Sequence, residues 1–231
     1  MTRLAALACA VVVAGGAAFA QDDDYLRWTA ERATQVAEAA YQDGKVGSRS
    51  LLFWTGWDSR LLKTERAQNY KLRATWFTPD VVRASARAAQ LRSRLTDDET
   101  RALVAEAEAA GDTVIVIDID PNEGSGVIPP DWEAFLRPKD APYESGRYSR
   151  GTPVDGLRKV RALQTIRQRN YDYDRFWVVF PLVTTAGEPL FGADTPQAEL
   201  IVRIYNREGT VTWAVPPSVP ARARAASATK P

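Results

Sequence analysis

The eight residues from Thr113 to Asp120, TVIVIDID, constrain the fold of this chain more than any other stretch. In an extended strand Ile115, Ile117 and Ile119 fall on one face, and Val114, Val116, Asp118 and Asp120 on the other. Both faces are apolar until Asp118. That is the pattern of an interior strand that emerges at its end, with two carboxylates about 7 Å apart projecting from the same face.

The rest of the chain supplies elements to surround it. Asp22, Asp23 and Asp24 offer a cap and first-turn negative charge for a helix in which Leu26, Ala30, Ala33, Ala37 and Tyr41 recur at helical spacing up to Gly44. Residues 50 to 62 fit helix or strand. YKLRATWF, residues 70 to 77, alternates Leu72, Ala74 and Trp76 with Lys71, Arg73 and Thr75 and predicts a half-buried strand. Thr78-Pro79 opens a helix carrying Val81, Ala84, Ala88, Leu91 and Leu95, and Thr96 with Glu99 forms a capping box for a second that ends at Gly111.

Past Gly111 the chain turns to β. Residues 175 to 183 read as a strand, and residues 198 to 215 as an antiparallel hairpin with Arg207-Glu208-Gly209 in the turn. Residues 157 to 166 are open between strand and helix. The proline-rich stretch from 121 to 156 is expected to order around Trp132 and Phe135, and residues 216 to 231, PPSVPARARAASATKP, have the composition of a disordered tail. The predicted fold is a single α+β domain over residues 21 to 215: N-terminal helices packed on an antiparallel β-sheet or a two-sheet β-sandwich.

The first 20 residues read as a signal peptide. Arg3 precedes a run of apolar and small residues, and Ala18-Phe19-Ala20 is a cleavage signal, so processing after Ala20 to a periplasmic or secreted protein is expected. A lipoprotein processed at Cys9 would have almost no apolar region before the cleavage point. Processing after Ala20 removes the sole Cys, the sole Met and one of the 30 basic residues, which then balance the 29 acidic ones. With no His anywhere, the remaining chain has no disulfide, no thiol nucleophile, no Ser-His-Asp triad and no zinc or copper site built on imidazole or sulfur. Its stability must come from its core, and the full chain, 45% apolar, has the residues to build one. Catalysis would fall to carboxylates, hydroxyls, Lys or Arg.

Three readings compete for Asp118 and Asp120. Four apolar strand residues followed by Asp-x-Asp resemble the first motif of the haloacid-dehalogenase-like phosphatases. The resemblance implies Asp118 as nucleophile, Asp120 as general acid and Mg²⁺ as cofactor. It is confined to residues 113 to 120; Asn122 stands where the family usually has Thr, and no downstream Gly-Asp-x-x-x-Asp follows a strand. In the second reading Asp118, Asp120, Asn122 and Glu123 offer oxygen ligands to Ca²⁺ at near-alternating spacing. The loop departs from an EF-hand, with Glu123 at the glycine position and Pro129 at the final glutamate position. In the third the two Asp residues end the strand and solubilise a turn.

Other features bear on function less directly. Trp54 and Trp57 around Thr55-Gly56 could form an aromatic platform for sugar or peptide, or fill a core that lacks disulfides. Arg158, Lys159, Arg161, Arg167 and Arg169 form a basic run beside Asp172 and Asp174, which fits a solvated, internally paired face better than nucleic-acid binding. Asp131, Glu133, Asp172 and Asp174 stand near aromatics, as a glycosidase would require. Ser227 to Lys230 matches Ser-x-x-Lys, without the other motifs of penicillin-binding proteins. The expected function is an exported non-catalytic protein that binds an envelope protein, peptide or glycan or supports envelope structure. It needs no cofactor and spans no membrane; the alternative is a Mg²⁺-dependent phosphatase at Asp118 and Asp120.

Overall fold

The computed structural model describes residues 23–44, 47–48, 70–111, 113–121, 128–139, 141–164, 174–204 and 207–229. The leader, the 50–62 stretch with Trp54 and Trp57, and Asn122 and Glu123 lie outside the described residues.

A 3-10 helix, Asp23–Arg27, buries Tyr25 and precedes helix α1, Ala30–Asp43. The helix starts later than the acidic triplet suggests, because Thr29 is the cap: its hydroxyl accepts from the Arg32 N–H at 3.2 Å. Ala33, Ala37 and Tyr41 form the buried stripe, whereas Ala30, which the spacing places with them, is exposed and Leu26 lies in the preceding 3-10 helix. Gly44 closes α1 and its carbonyl accepts from the Ala74 N–H at 2.8 Å, an approach so close that any side chain at Gly44 would run into the Ala74 carbonyl.

Strand β1 is Gly47–Ser48 and β2 is Tyr70–Trp76. Helix α2, Pro79–Ser93, is capped by Thr78 with Pro79 at its start, and α3, Asp97–Glu108, carries the complete capping box of Thr96 and Glu99. Their inward faces differ in part from the apolar spacing: Leu91 is exposed, whereas Gln90 is buried, its amide donating to Asp97 while its carbonyl oxygen accepts from Arg87. Strand β3 spans Thr113–Pro121.

The proline-rich stretch contains β4, Glu133–Pro138, a strand its composition conceals, and two short strands, β5 (Ser149–Arg150) and β6 (Thr152–Pro153). Residues 155–159 and 161–163 form 3-10 helices, followed by β7, Arg175–Phe180. Then come β8 (Gln197–Ile204), β9 (Arg207–Ala214) and helix α4 (Ser218–Thr229). One sheet has the order β2-β3-β7-β6, the other β1-β9-β8-β4-β5, and every named pairing is antiparallel. The chain changes sheets between β5 and β6 at Gly151, where a Cβ would collide with Val178 and Phe180.

The fold has three layers. Ile115, Ile117 and Ile119 of β3, with Val178 and Phe180 of β7, face Ala134, Leu136, Leu200, Val202 and Val211 of the opposite sheet in a core between the sheets. Val114, Val116 and Trp177 project the other way, into a second core with Phe77, Val82 and Ala86, Val104 of α3 and Leu163. The chain is therefore an α+β fold in which antiparallel sheets stack and helices cover the outer face of one of them.

Two further expectations need correction. The strands pair in antiparallel register, but Arg207-Glu208-Gly209 is strand and not turn: Ile204 opposes Arg207, Arg203 opposes Glu208 and Val202 opposes Gly209. The opposite charges of Arg203 and Glu208, 2.6 Å apart, favour that register, and Gly209 also pairs with Ser48 of β1. The tail is also not a disordered end over residues 218 to 229. Those residues form α4, with Val219 and Ala223 one turn apart and buried in the core between the sheets. Pro220 lies in the first turn, where its missing N–H costs little, and Ala and Arg favour helix once an apolar stripe has somewhere to pack.

Candidate functional site

Asp118 sits near the end of β3, opposite Arg73 of β2 on one side and Arg175 of β7 on the other. The Arg175 Nε donates to the Asp118 carboxylate at 2.7 Å, and the two side chains are 5% and 3% exposed respectively. Arg73 donates to the Tyr41 carbonyl at 3.1 Å and stacks on the Tyr41 ring with 3.9 Å from guanidinium carbon to ring centroid. Asp174, also buried, accepts from the Ile119 N–H through its backbone carbonyl at 2.8 Å. Asp120, two residues on, is only half-buried and opposes Lys71.

This arrangement has chemical consequences. A carboxylate nucleophile has to reach the phosphorus atom, and a metal-binding carboxylate must turn its lone pairs toward the cation. The Asp118 side chain is almost wholly enclosed, and its closest partner is a cation that is itself enclosed. Among the described residues no three Asp or Glu side chains converge as a metal site would require. Strand β3 is antiparallel to both of its neighbours, so it does not belong to a β-α-β unit.

The other candidate residues that the structure describes are dispersed, and Arg167, Arg169 and Asp172 lie outside the described residues. Glu133 pairs with Arg150 at 2.7 Å on the second sheet, Asp174 is buried beside β7 of the first, and Asp131 is exposed. Arg158 lies over the Trp177 ring at 5.6 Å and Arg161 donates to the Ser93 hydroxyl at 3.1 Å. Part of the basic run is thus spent on contacts with its own fold. Ser227 donates to the Gly187 carbonyl at 2.7 Å as a clamp on α4.

Two surfaces escape sequence reasoning. On the face of the second sheet opposite the core, Arg137 pairs with Glu199, Arg203 with Glu208 and Arg150 with Glu133, each at 2.6–2.7 Å, around a buried Phe135. Alternation along β4 hints at this, since Glu133, Phe135 and Arg137 share one face. An open groove of about 460 Å³ lies between the segment after β4 and the turn before β8, walled by Pro138, Pro142 and Pro196 with Lys139, Arg147 and Asp194 around it. Nothing local in the sequence marks it, because its walls lie more than 40 residues apart.

The chain matches no protein-family model, no curated protein sequence and no solved structure.

Proposed function

We propose that this chain is an exported, non-catalytic protein of the periplasm or exterior that binds a partner or supports envelope structure. The observation that carries the non-catalytic part is the Asp118–Arg175 pair: the residue best suited by its motif to act as a nucleophile is enclosed and neutralised inside the sheet. Export rests on Arg3, the apolar run and Ala18-Phe19-Ala20. An envelope protein, a peptide or a glycan is the partner class in keeping with a chain of balanced charge, which gives nucleic acid little to hold. No helix among the described residues is long and apolar enough to cross a membrane.

The alternative, a Mg²⁺-dependent phosphatase at Asp118 and Asp120, is favoured by the Asp-x-Asp motif after an apolar strand. A direct assay separates the two. The purified protein, given a generic phosphate ester and Mg²⁺ beside the Asp118→Asn variant, should turn over nothing in either form. Turnover by the wild type that vanishes in the variant would establish the phosphatase instead. Ca²⁺ raising the melting temperature of the wild type alone would mark the loop as a cation site. For export, N-terminal sequencing of the protein from the exported fraction should begin at Gln21. A lipid-modified Cys9 at the terminus would overturn that assignment.

A further inference from the structure

We draw no further inference here: the strongest candidate, the open groove of about 460 Å³ between the segment after β4 and the turn before β8, carries nothing, because Lys139 is already bonded to Gln197, Arg147 and Asp194 give the rim opposite charges, and nothing in the structure shows what occupies it.

Discussion

Asp118 and Arg175 are both buried, and the Asp118 carboxylate is held by the Arg175 Nε at 2.7 Å. Removing one partner of such a pair leaves an uncompensated buried charge and costs about 3–5 kcal/mol, whereas replacing both with apolar residues of similar volume is often close to neutral. Arg175→Met, which leaves the buried Asp118 carboxylate without that guanidinium, should therefore lower the melting temperature by roughly 6–20 °C, at about 2–4 °C per kcal/mol for a domain of this size. Adding Asp118→Leu to Arg175→Met should recover part of that loss, since it removes the stranded carboxylate. Thermal unfolding followed by circular dichroism decides it: a single variant that melts with the wild type would mean that the pair is open to water. The alternation of TVIVIDID makes the position of Asp118 legible, but its partner less so. Arg175 opens one apolar strand as Asp118 closes another, and only antiparallel register turns those opposite ends into neighbours.

Among the elements, α3 has the most completely written start. The Thr96 hydroxyl accepts from the Glu99 N–H at 3.3 Å, and the Glu99 carboxylate accepts from the Thr96 N–H at 2.7 Å and from the Thr96 hydroxyl at 2.9 Å. The bond from the Thr96 backbone, then that from its hydroxyl, holds the Glu99 carboxyl below the ordinary glutamate value. A depressed carboxyl stabilises the fold above its unfolded value, and that stabilisation is lost as pH falls through the folded value. Glu99→Gln should accordingly trail the wild type most at neutral pH, and the gap should close as the pH is lowered through the acidic range. Chemical denaturation at several pH values measures this; a gap that widens in acid would reverse the sign. Thr96→Ala, which removes the cap itself, should cost about 1 kcal/mol at neutral pH. Caps of this kind are local, which is why Thr78-Pro79 and Thr96-x-x-Glu99 can be read directly. β4 is not local in that sense: Pro138 and its proline-rich surroundings speak against a strand, and pairing with β8 from Glu133 to Pro138 and with β5 at Phe135 and Leu136 makes it one.

On the scale of the whole molecule, the three layers make the C-terminal helix part of the core. Val219 is 2% and Ala223 0% exposed, and Arg222 reaches the Gly111 carbonyl at 3.4 Å across 111 residues of sequence. A valine side chain buried to that degree is worth about 2 kcal/mol, before counting the apolar surface it covers. Deleting residues 218 to 231 should thus lower the melting temperature by at least 4 °C or so, at the low end of roughly 2–4 °C per kcal/mol. A disordered tail would leave it unchanged, so a scan of the truncated protein distinguishes the two directly.

By itself the sequence determined the features whose physics is local: the interior strand of residues 113 to 120, the hairpin pattern of β8 and β9, the caps of α2 and α3, and a chain that must hold together without disulfides. Apolar periodicity, cap chemistry and residue inventory act over a few positions, and each can be read from a single stretch. The tertiary structure alone decided which face of β3 meets the other sheet and which meets the helices, that Asp118 faces Arg175, and that Gly209 pairs as strand. It also decided that an Ala- and Arg-rich end becomes helix. These outcomes depend on surfaces contributed by residues tens of positions away, and burial exists only once those surfaces meet.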